Sequence, residues 1–123
     1  MSIGAFSLSL AVKDIALSKD FYEKLGFAAC GGDITRNWLI MRNDDCVIGL
    51  FQGMFPKNTL TFNPGWNTKA EEVNPFKDVR VIQGELQEKG NEIMETADPA
   101  TSGPAHILLF DPDDNPILID QHR

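Results

Sequence analysis

The feature that most constrains this chain is an internal repeat. Lys13-Asp14-Ile15, followed later by Leu25-Gly26, lines up with Lys77-Asp78-Val79 followed by Lys89-Gly90, and the interval from Asp to Gly is the same in both. A second match runs from Asp44-Asp45-Cys46-Val47-Ile48 through Gln52 and from Asp113-Asp114-Asn115-Pro116-Ile117 through Gln121. One short match arises easily by chance. Two matches in the same order, each on the same kind of element, point to a duplicated supersecondary unit. The chain has 123 residues, enough for one hydrophobic core and too few for two independent ones. The expectation is a single domain spanning 1–123, with module one at residues 1–53 and module two at residues 58–123.

Each module reads β-α-β-β-β. Phe6 to Val12 alternates large and small residues with the period of a strand, so Leu8, Leu10 and Val12 share one face. Asp14 can cap a helix whose Ile15, Ser18, Phe21, Tyr22 and Leu25 form one stripe, ended by Gly26. Strands fit Phe27 to Cys30, Trp38 to Arg42 and Cys46 to Phe51, with Asn43-Asp44-Asp45 as a tight turn. In the second half Thr59 to Asn63 alternates as a strand, and Pro64-Gly65-Trp66 opens a loop. Asn74 and Pro75 offer an N-cap and a first helical residue, Val79, Ile82 and Leu86 an apolar stripe, and Lys89-Gly90 a stop. Strands then fit Glu92 to Glu95, His106 to Phe110 and Pro116 to Gln121.

The formal net charge of −7 repels phosphate backbones and anionic lipid, so neither nucleic acid nor membrane is expected as a partner, whereas a cationic small molecule is admitted. No apolar run approaches the ~20 residues of a transmembrane helix, and the first residues lack a basic segment ahead of an apolar one, which predicts a cytoplasmic protein. Cys30 and Cys46 lie in apolar strand-like runs without metal or redox spacing and read as reduced core residues. No phosphate loop, nucleophile elbow or Ser/His/Asp spacing is present, and no catalytic residue is assigned.

Three segments, Leu10-Ala11-Val12-Lys13-Asp14, Phe21-Tyr22-Glu23-Lys24-Leu25-Gly26-Phe27 and Asp111-Pro112-Asp113-Asp114-Asn115, occur in this order at these distances. On them the chain resembles the vicinal oxygen chelate superfamily, which includes glyoxalase I, extradiol dioxygenases and bleomycin resistance proteins. The resemblance implies an α+β fold of two tandem βαβββ modules forming a curved sheet cup, and a homodimer. It also implies a divalent metal on the cup floor, held by first-strand and last-strand side chains of each module. Those positions fall on Ser7, Gly49, Thr59 (to within one residue) and Leu118, none of them a good ligand, so no metal and no other cofactor is expected. The repeat independently pairs Gly49 with Leu118.

Strand alternation puts Leu8, Leu10, Ile48, Leu50, Leu60, Phe62, Ile117 and Ile119 under the helices. The cup face then carries Ser7, Ser9, Val47, Gly49, Phe51, Thr59, Thr61, Asn63, Leu118 and Asp120. Trp38, Phe55 and Trp66, in or beside loops, are candidate walls. The ligand-binding candidates are Ser7, Trp38, Gly49, Phe51, Thr61, Asn63, Trp66 and Asp120. Gln52, Asn58 and Asn63 can hydrogen-bond a ligand or satisfy turn backbone. His106 reads as structural or surface, while Asp120 and His122, two apart on one face, can meet at the rim. The resemblance implies metal-independent binding of a small organic molecule, with a metal-dependent glyoxalase-like lyase or isomerase, or a dioxygenase with an atypical site, as the alternative.

Overall fold

The computed structural model describes residues 2–123. Residues 7–59 form one compact unit, and the residues up to Phe6 together with 60–123 form another. Strands are β1 (Ala5–Val12), β2 (Ala28–Asp33), β3 (Trp38–Asn43), β4 (Cys46–Gln52), β5 (Thr59–Asn63), β6 (Ala105–Phe110) and β7 (Pro116–Gln121), and the helices are α1 (Ile15–Lys24) and α2 (Val79–Glu88). The protein is α+β, built of two βαβββ-like modules.

In the first unit the strand order is β2-β3-β4-β1. The α1 crossover makes β1 and β4 parallel, while β2–β3 and β3–β4 are antiparallel. Asp14 caps α1, its carboxylate accepting from the backbone N–H groups of Ala16 and Leu17. Gln52 at the end of β4 reaches across to accept from the Ile15 N–H at 2.9 Å. Gly26, at φ +100°, takes the left-handed conformation that ends the helix. Ile15, Leu39, Met41, Ile48 and Leu50 are the buried core, with Leu8, Leu10, Val12 and Tyr22 packed against it.

The helix stripe departs from expectation. Phe21 and Leu25 are 58% and 56% exposed. Successive helical residues turn by about 100°, so the line that rests on the sheet runs through Ile15, Ser18 and Tyr22, and Phe21 and Leu25 fall beside it. Cys30 and Cys46 are also exposed, not core. β2 is an edge strand whose six residues are all exposed, and Cys46 is the first residue after the β3–β4 turn. Hydrophobic type alone did not reveal the edge.

In the second unit β5, β7 and β6 lie in that order, β5–β7 parallel and β6–β7 antiparallel. Val79, Ile82, Ala97, Ile107, Leu109 and Ile119 form its core. Helix α2 does not begin at Asn74-Pro75; Asp78 is its N-cap and Val79 its first residue. One cause is local and one long-range. The Asp78 carboxylate accepts from the Arg80 N–H, and Gln121 Oε1 accepts from the Val79 N–H at 2.7 Å. Gln121 thus does for α2 what Gln52 does for α1, as the repeat pairs them. Glu92 to Glu95 is not a strand either, since only Glu95 bridges to Leu108. The chain beyond it is instead tied to α2, where Gln83 exchanges two hydrogen bonds with the backbone of Ala97.

Candidate functional site

In the first unit, register aligns Ser9, Gly49 and Ile40 across β1, β4 and β3, and one step along it aligns Ala11, Phe51 and Trp38. These residues alternate with the core, so they occupy the sheet face opposite α1. The Phe51 ring lies over Gly49, where a Cβ would collide with it. Trp38 stacks parallel to Phe51, with centroids 6.4 Å apart at 11°, and Phe55 meets Phe51 edge-on at 5.0 Å. The three rings form an aromatic cluster, each half-buried. Ser7 is half-buried on the same face and Ser9 is buried.

In the second unit, Thr61, Leu118 and Leu108 align across β5, β7 and β6, and Asp120 pairs with His106. Thr61 is buried. The Asn63 amide donates to the Asp120 carbonyl at 2.9 Å, so this side chain ties strand ends together. Asn58 and Gln52 likewise accept from backbone N–H groups, of Ala11 and Ile15. His106 is exposed, and the Glu95 bridge brings it a carboxylate partner at 3.2 Å that spacing did not suggest. Of the eight ligand candidates, Trp38, Gly49 and Phe51 come together in one cluster. Trp66 and Asp120 come together around His122, with Asn63 bonded to the Asp120 backbone.

That second grouping is a stacked pair with an anchor. His122 Nε2 lies 3.2 Å from Asp120 Oδ2, and the imidazole stacks on Trp66 with centroids 4.7 Å apart at 11°. Trp66 and His122 are far apart in sequence, and no local signal joins them. The hydrogen bond to Asp120, helped by that carboxylate's charge and opposed by partial burial, raises the His122 pKa above the usual imidazole value. A raised folded-state pKa means that this pair's stabilising contribution is complete below the ordinary histidine value of about 6.5 and is lost as pH rises through the raised value. In a Trp38→Phe protein, whose indole emission comes from Trp66 alone, fluorescence is expected to titrate with His122. Asp120→Asn should move that midpoint downward; an unmoved midpoint would remove Asp120 from the account.

The four positions at which the resemblance implies metal ligands are Ser7, Gly49, Thr59 and Leu118. Ser7 and Thr59 offer neutral hydroxyls, and Thr59 is buried with its hydroxyl donating to the Lys57 carbonyl at 3.1 Å. Gly49 and Leu118 offer no donor. Among the described residues no group of three or more His, Cys, Asp or Glu is placed to hold a metal ion. Asp120 and His122 supply two donors where zinc takes about four. This donor set does not fit a divalent metal.

No protein-family model matches the sequence, and no curated protein matches it. Solved structures do. The chain is similar to a glyoxalase/bleomycin resistance protein/dioxygenase superfamily member from Vibrio splendidus 12B01, with 14% identity, 94% of this chain and 97% of that one covered, and a TM-score of 0.63. It is similar at TM-score 0.70 and 18% identity to a Legionella pneumophila protein described as an NAD-dependent benzaldehyde dehydrogenase, over 96% of this chain and 99% of that one. Homoprotocatechuate 2,3-dioxygenase from Brevibacterium fuscum matches at 17% identity and TM-score 0.52, over 97% of this chain and 32% of its own. At these identities the likeness shows the fold.

Proposed function

We propose that this chain, which has the vicinal oxygen chelate fold, binds a small organic cation on the sheet face of Trp38 and Phe51 and does so without the superfamily's metal. The observation that carries the reading is the aromatic cluster: Phe51 covers Gly49, a metal-ligand position in the superfamily, and stacks with Trp38. The surface there offers π-faces in place of a carboxylate. Such faces attract cations by about 0.5–2 kcal/mol, more as water is excluded, and the net charge of −7 draws cations toward the protein. Nothing in this scheme requires the ligand to be transformed.

Tetraphenylphosphonium and ethidium, both aromatic cations, are suitable probes. Binding is expected to quench indole emission and to raise the melting temperature. Trp38→Ala should weaken it about tenfold, the equivalent of ~1.4 kcal/mol, while a neutral aromatic of similar size binds this face less well. If neither cation binds, or if both bind the Trp38→Ala protein as well as the parent, the aromatic face is structural and the reading fails.

A further inference from the structure

Ser2, Gly4, the loop from Pro64 to Lys77 and the first turn of α2 line an open cleft of about 580 Å³, within the range of small-molecule sites. Its walls include Trp66, Val73, Pro75, Phe76 and Val81, with Lys77 and Asp78 at the helix end. Of the eight candidates for the cup, only Trp66 borders it. Val81, though large and apolar, is 51% exposed, so among the described residues this surface finds no cover.

The walls are held in place before anything binds. Arg123 donates to the carbonyls of Gly65 and Val73 and to the Asn74 side-chain oxygen, each at 3.1 Å, and its guanidinium lies 4.4 Å from the Phe76 ring centroid. The Val73 N–H closes the loop onto the Gly65 carbonyl at 2.9 Å. Trp66 is fixed from another side by its stack on His122. A site with its loop already ordered loses little on binding.

The charges at the helix end are already matched. Lys77 Nζ donates to both carboxylate oxygens of Glu85 at 2.8 Å. The Asp78 carboxylate accepts from the Arg80 backbone and guanidinium and from the Gln121 amide. A charged ligand would have to compete with these pairs, whereas an uncharged one meets aromatic and aliphatic walls at no such cost. We infer that this cleft is a second ligand site, taking an uncharged, planar, apolar molecule, separate from the Trp38–Phe51 face.

Nile red, uncharged and planar, is the probe. The chain has two tryptophans, so in Trp38→Phe any energy transfer to the dye comes from Trp66. Saturable binding with transfer from Trp66 is expected in that protein. Val81→Lys, at an exposed helical position, should weaken binding at least about tenfold with little change in melting temperature, and Phe51→Ala should leave the transfer intact. The anionic dye 8-anilinonaphthalene-1-sulfonate should bind more weakly than Nile red. The inference is overturned if Nile red does not bind saturably, or if Val81→Lys leaves its affinity unchanged. Loss of binding in Phe51→Ala would assign the dye to the other face, and tighter binding of the sulfonate would refute the ligand class.

Discussion

Gln121→Leu is expected to cost about 2–4 kcal/mol of stability, well beyond the ~1 kcal/mol expected of Gln52→Leu. The two glutamines occupy equivalent positions of the repeat, and each accepts from the first N–H of its module's helix. Their surroundings differ. Gln121 is 1% exposed, and its amide also donates to Asp78 Oδ2 at 2.9 Å and to the carbonyls of Arg123 and Gly103 at 2.9 and 3.2 Å. Leucine preserves the volume but strands the N–H of Val79, a fully buried residue. A buried donor without a partner costs about 1–3 kcal/mol, and the remaining bonds add to it. Urea denaturation should show a lower midpoint at unchanged slope. Equal losses in the two variants would mean that the extra bonds of Gln121 contribute nothing.

The same bonds add a pH signature. Burial pushes the Asp78 pKa up, but hydrogen bonds from Gln121 and from the backbone and side chain of Arg80, with the Arg80 charge, outweigh it and leave the pKa below the usual carboxylate value. A lowered folded-state pKa gives stability that is present above the ordinary value and is lost as pH falls through the lowered one. Gln121→Leu removes one of those hydrogen bonds, so the variant's deficit should narrow in acid.

These particulars also show where sequence reasoning succeeds and stops. The helix ends are legible because their determinants are local: Asp14 and Asp78 cap, Gly26 and Gly90 take positive φ. The repeat even places the α2 start correctly, at the partner of Asp14, while the local appeal of Asn74-Pro75 places it too early. That loop's polar groups serve another purpose, since Arg123 binds Asn74 and straps the segment down. Glu92 to Glu95 fits a short strand by sequence, yet Gln83 draws the following chain onto α2. The face on which Trp38, Gly49 and Phe51 sit follows from a period of two. That Phe51 folds back over Gly49, and that Trp66 stacks on His122, depends on rotamers and loop paths that no spacing encodes.

Gly49→Glu, which puts a carboxylate at the position where the resemblance implies a metal ligand, is expected to destabilise by about 3–5 kcal/mol at neutral pH and to gain no metal. Gly49 is buried between Ser9 and Ile40 of the neighbouring strands. Any Cβ there collides with the Phe51 ring and lies 3.4 Å from Ile40 Cδ1. Forcing it in displaces Phe51 from its stack with Trp38, a change of the overpacking kind that costs about 1–3 kcal/mol. The carboxylate also places a charge at a buried position, and the cost of taking it out of water supplies the remainder. Burial raises the new carboxyl's pKa, so the loss should be greatest above that value and ease as pH falls through it. Zinc or manganese should not restore the melting temperature, because Ser7, Thr59 and Leu118 still bring no charged or imidazole donor. Denaturation at two pH values, with elemental analysis after dialysis, reads all of this. If Gly49→Glu proved as stable as the parent and held about one equivalent of metal, the aromatic cluster would be a filler over an intact metal floor, and the metal-free reading of this face would fall with it.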